Sequence, residues 1–166
     1  MSFIGIFTDN KNYTILKTEI LKRINEKNLN IMKINKNNLE SMKNIRFDAI
    51  VINDSLKNLD EEMQYLEKII NNTQYLIINS DVDFKYNEII KEKINIITYG
   101  LNQKATITVT SPEENYTLVA IQREIQDIYN NIKEVKEEVL EFEKDNKLKL
   151  ENQLIIYIIV LIFKGK

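Results

Sequence analysis

Residues Tyr75–Gly100 read YLIINSDVDFKYNEIIKEKINIITYG, and their reading decides the fold. A short apolar run, Tyr75–Ile78, ends in Asn-Ser-Asp; a polar helical turn follows, and a second apolar run, Ile94–Tyr99, closes on Gly100. Two β-branched runs separated by about a dozen residues predict a β-α-β unit, because parallel strands need a crossover of that length. Ligands of such sheets bind beyond the carboxyl ends of the strands, where Asn79, Asp81 and Gly100 fall.

The chain before this unit repeats its rhythm. Phe3–Phe7 is a strand candidate, Thr8–Asn12 a polar loop, and Tyr13–Glu26 a helix with Ile15, Leu16, Ile20, Leu21 and Ile24 on one side. Leu29–Ile34 and Phe47–Ile52 read as two more strands, linked through a short helical turn at Asn38–Lys43. Leu59–Ile70 predicts a second helix, with Met63, Leu66, Ile69 and Ile70 on one face. This alternation implies an α/β class: a mostly parallel, Rossmann-like sheet flanked by helices on both faces, in one domain spanning 1–166.

Beyond Gly100 the pattern changes. Ala105–Thr110 and Tyr116–Ile121 each alternate and flank Ser-Pro-Glu-Glu-Asn, which predicts an antiparallel hairpin added to the sheet. Apolar residues then fall at Ile121, Ile125, Ile128, Ile132, Val135, Val139 and Phe142, in steps of four and three. By pattern alone, 121–142 is an amphipathic or coiled-coil helix; the rival reading turns the chain at Asn130-Asn131 between strands. Leu148–Phe163 is apolar nearly all round and predicts a buried carboxyl-terminal helix.

Composition narrows the chemistry. The 166 residues carry 23 basic and 25 acidic side chains, closely interspersed, with no basic stripe of the kind that nucleic acid requires. Cysteine and histidine are both absent, which removes thiolate chemistry and the commonest general base and metal ligand. The longest apolar run, Leu154–Phe163, is ten residues against the ~20 of a membrane-spanning helix. Met1–Phe7 lacks the basic start of a signal peptide, so the expected compartment is the cytoplasm.

Four motifs, in order, resemble the central domain of the Mur ligase family, ATP-dependent amide ligases that include folylpolyglutamate synthetase. Ile4–Thr14, IGIFTDNKNYT, is similar to the family's phosphate loop IGITGTNGKTT. Ile4, Gly5, Ile6, Asn10 and Thr14 persist, while Thr8 and Lys11 replace loop glycines, Asn12 replaces the lysine and Tyr13 the magnesium-binding hydroxyl residue. Ile52–Asp60, INDSLKNLD, resembles TNxxxDHLD: Asn53, Leu59 and Asp60 match, but Lys57 and Asn58 stand where the Asp-His pair would be. The family's carbamylated lysine, four residues beyond a tyrosine, would here be Ile69 after Tyr65; Lys68 is one position short and reads as a surface charge.

Ile77–Asp81, IINSD, and Ile96–Gly100, IITYG, resemble the family's NADD and ITFG strand ends. Ile121–Glu137 resembles its hairpin beyond the sheet, which favours strands over the heptad helix. In Leu150–Gly165, counting back from the glycine puts Gln153 at the family's adenine-contacting asparagine, with Asn152 as a shifted remnant.

The resemblance implies a degenerate, non-catalytic domain without cofactor or metal. Phosphoryl transfer rests on charge neutralisation and positioning, and the glycines, lysine and acid–histidine pair that supply them are replaced. The expected role is protein interaction or self-association, with Leu154–Phe163 as a candidate interface. The alternative is a small-molecule or nucleotide module whose vestigial pocket uses Asn10, Thr14, Asn53 and Asp81 without hydrolysis. Asp83 and Glu134 read as solvated or capping acids.

Overall fold

The computed structural model describes residues 1–24, 29–54, 56, 59, 61–82, 86–91, 93–112, 116–140 and 148–164. Its frame is five parallel strands: β1 (Ser2–Phe7), β2 (Leu29–Ile34), β3 (Ala49–Ile52), β4 (Tyr75–Asn79) and β5 (Asn95–Gly100). They lie in the order β2-β1-β3-β4-β5. β3 and β4 are buried along their whole length, as expected of parallel strands covered on both faces.

Alternate side chains feed two cores. On one face α1 (Asn10–Arg23) and α4 (Leu150–Phe163) pack over Ile4, Ile6, Val51, Ile77, Ile97 and Tyr99. On the other, the single turn α2 (Leu39–Met42) and α3 (Met63–Asn71) cover Ile34, Ile50, Ile52, Leu76 and Ile78. Both predicted helices start at other residues than expected: α1 begins at Asn10 rather than Tyr13, because Asp9 caps it, and α3 begins at Met63 rather than Leu59. Between β4 and β5 the described residues form only a 3₁₀ turn, Tyr86–Glu88.

The expected additions after Gly100 are present, with one difference. β6 (Ile107–Pro112) and β7 (Thr117–Ile121) form the antiparallel hairpin, yet β6 joins β5 in parallel. Six intervening residues suffice because only Tyr99 and Gly100 pair, opposite Ile107 and Thr108. β6 therefore runs on past the carboxyl end of β5. The heptad helix over 121–142 does not form. Its described residues make a small hairpin, β8 (Ile125–Gln126) with β9 (Ile132–Lys133), and then β10 (Lys136–Leu140), which pairs antiparallel with β7. Phe142 lies outside the described residues.

Most of α4 belongs to the core. Leu154, Ile155, Ile156, Ile158, Ile159, Ile162 and Phe163 are all buried against the sheet and α1. The Tyr157 hydroxyl donates to Glu138 Oε2 and so pins α4 to the edge strand β10. Burial, and then the Glu138 carboxylate, push the phenol pKa upward, so the tyrosine stays a donor. Tyr157→Phe is expected to cost about 1.5–3 kcal/mol, the worth of a hydrogen bond to a charged group, measured by urea denaturation.

Candidate functional site

The strand order reverses between β1 and β3, and this switch point is where open α/β sheets bind ligands. Here described residues of the chain bond to one another. The Asn53 amide donates to the Phe7 carbonyl at 3.0 Å, continuing the ladder beyond the paired strand ends. The Tyr99 hydroxyl donates to Asn53 Oδ1 at 2.7 Å, and Asn53 Nδ2 points to Thr8 Oγ1 at 3.5 Å. Tyr99 is fully buried, and burial, with the Glu151 and Asp81 carboxylates adding to it, holds its pKa well above the usual phenol value. The Tyr99 phenol, protonated at neutral pH, thus fixes Asn53.

A second set of bonds crosses the start of α1. Asp9 accepts from the Asn12 backbone amide at 2.9 Å and from the Asn12 side chain. The Asn12 backbone hydrogen bond is the main cause that lowers the Asp9 pKa, so the cap is a carboxylate at neutral pH. Asn152, buried on α4, donates from Nδ2 to Asn12 Oδ1 at 3.0 Å. Its own Oδ1 is buried with no hydrogen-bond partner among the described residues. The helix amides that would meet a phosphate are therefore turned toward an internal anion.

The four sequence-predicted pocket residues have different partners. Asn10 accepts from Lys33 Nζ through its side chain, and its carbonyl accepts from Thr14 Oγ1 at 3.0 Å, so both are tied to exposed helix surface. Asn53 lies in the crevice. Asp81 sits at the β4–β5 end, where Oδ2 accepts from the Leu101 amide at 2.8 Å. No hydrogen bond joins Asp81 to the other three among the described residues. Tyr13, at the magnesium-ligand position of the resemblance, donates instead to the Ile31 carbonyl on β2 at 2.9 Å.

Of the helix α4 pair, Asn152 rather than Gln153 faces the α1 loop. Gln153 accepts from Thr117 Oγ1 at 3.0 Å and donates to the Leu148 carbonyl at 2.9 Å. Asp9 and Asn12 have a sequence signal in the Asp-x-x-Asn cap spacing at the loop; Tyr99 has none beyond its place at a strand end. Lys57, Asn58 and Asp60 of the second motif, and Asp83, lie outside the described residues.

A cleft of about 210 Å³ opens beside β4 and β5, between Asn79, Ser80, Tyr86, Thr98 and Lys104. It is smaller than the roughly 300–1,000 Å³ usual for small-molecule sites. Among the described residues no group of three or more acidic side chains could hold a metal ion, and no helix is long and apolar enough to cross a membrane. No protein-family model and no curated protein matches this chain.

Proposed function

We propose that the chain is a degenerate Mur ligase-like module of the cytoplasm that works through protein contacts and not through nucleotide chemistry. One observation carries this reading: the amide-rich start of α1 is capped by the carboxylate of Asp9. A triphosphate there would meet like charge, a phenol directed at β2 and the neutral Asn12 in place of a lysine. The contact surface is the β8–β9 hairpin and the link to β10, where Tyr129, Ile132 and Val135 are 49%, 62% and 61% exposed. Three large apolar side chains left in water within seven residues suit a protein partner or a second copy.

The test is calorimetry with MgATP at millimolar concentration beside a phosphate-release assay, with sedimentation velocity for self-association. The expected results are no ATP heat, no phosphate release, and an association that Ile132→Ser with Val135→Ser abolishes. A micromolar dissociation constant for MgATP overturns the reading, as does association indifferent to the double variant. A second reading, a retained small-molecule pocket, is favoured by the buried, unbonded Oδ1 of Asn152. A ligand bringing a donor to Asn12 and Asn152 would satisfy it, and Asn152→Leu would then weaken that ligand while leaving self-association intact.

A further inference from the structure

We infer that the opposite, amino-terminal end of the sheet carries a binding site for compact multivalent anions. A cleft of about 770 Å³ lies there between the end of α3, the segment before β3 and the segment leading into β5. Every residue that lines it is polar or charged, and the charges are one-sided. Arg46, Lys68, Lys91 and Lys93 face a single lining carboxylate, Glu67. Glu67 pairs with Lys91 Nζ, which leaves Arg46, Lys68 and Lys93 with no ion pair among the described residues. The whole chain is net negative, at −2, so this concentration of cations runs against its overall charge.

The walls are held by hydrogen bonds. Asn71 Nδ2 donates to the Glu67 carbonyl at 2.9 Å and to the Ile89 carbonyl at 2.8 Å, and Asn71 Oδ1 accepts from the Lys91 amide at 2.7 Å. These bonds fasten 89–91 to the last turn of α3. Thr73, buried, donates from Oγ1 to the Phe47 carbonyl at 3.0 Å and ties the floor to the entry of β3. The carbonyl end of α3 opposes an anion with about half a charge, which is less than the three unpaired cations supply.

The three cations are exposed, and a lone exposed ion contact adds little affinity. Useful binding therefore requires one ligand that meets several of them at once. A concave surface lined by one sign of charge raises the local concentration of such ligands. The polar lining selects a strongly hydrated molecule over an apolar one. The ligand class is a small molecule with two or more phosphate or carboxylate groups. This site is separate from the capped start of α1 at the other end of the sheet.

Inorganic pyrophosphate titrated into the full chain by calorimetry is the test. The expected result is binding that weakens tenfold or more when Arg46, Lys68 and Lys93 are together changed to alanine, and that Lys17→Ala on α1 leaves unchanged. Raising NaCl from about 50 to about 300 mM should weaken it as well, because exposed pairs are screened. All three cations are exposed, and Lys68→Glu alone supplies a second variant that reverses charge without touching the core. No binding at millimolar pyrophosphate, or binding that survives both the triple variant and Lys68→Glu, overturns the inference.

Discussion

Gly100→Ala is expected to lower stability by about 2–4 kcal/mol, the sum of backbone strain and displaced hydrogen bonds. Gly100 has φ +147°, a conformation that side chains rarely adopt. A Cβ there would overlap Asp81 Oδ2 and lie 2.7 Å from Ser80 Oγ. Neither neighbour is idle. Asp81 holds the Leu101 amide, and the Ser80 amide and hydroxyl donate to the Tyr99 carbonyl at 2.7 and 3.0 Å. An alanine must push both away and so loosen the join between β4 and β5. Urea denaturation measures the loss. The double variant with Asp81→Ala should be less unstable than the two single losses added, since the clash is shared. Strict additivity, or a loss under about 1 kcal/mol, would show that the strand ends relax freely.

Asp127→Ala should cost about 3–4 kcal/mol, because it strips a buried carboxylate from a cation and two backbone donors. Asp127 is 1% exposed. It accepts from the Tyr129 amide at 2.9 Å, the Asn131 amide at 2.8 Å and Asn131 Nδ2 at 3.0 Å, and it pairs with Lys133 Nζ at 3.1 Å. Together these bonds shape the turn in which Asn130 takes a φ of 65°, a value asparagine tolerates. Burial alone would raise the Asp127 pKa, but the Asn131, Lys133 and Tyr129 hydrogen bonds outweigh it and bring it to about 2.

The sign of the pH dependence follows. The folded pKa lies below the ordinary 3.8, so the carboxylate stabilises fully above about pH 4 and that stability is lost as pH falls toward about 2. Asp9, Glu19 and Glu138 also have lowered pKa values and contribute to the same acid limb. Stability measured between about pH 5 and about pH 2 should therefore fall less steeply in Asp127→Asn than in the wild type. Equal slopes would remove Asp127 from the acid response.

Sequence by itself determined the parallel frame and the buried carboxyl-terminal helix. Runs such as Ala49–Ile52 and Tyr75–Ile78 are apolar on both faces, and only a strand sandwiched between helices buries both. Beyond its first turn the helix over 150–163 is apolar nearly all round, so its burial was legible from the sequence. The absence of histidine and cysteine was equally plain.

Only the tertiary structure decided residues 121–140. Their three-and-four spacing suits a helix stripe, yet a stripe is realised only where a groove receives it. β7 offers an unpaired edge instead, and β10 takes it; Ile121 and Ile125 then reach the core while Ile132, Val135 and Val139 stay in water. The site was hidden for the same reason. Asn152 meets Asn12 across 140 residues of chain, and Tyr99 meets Asn53 across 46. The cationic cleft likewise gathers Arg46, Lys68 and Lys93 from three segments. Periodicity reports which side of an element is buried, a local property, whereas these contacts exist only once separate elements have packed.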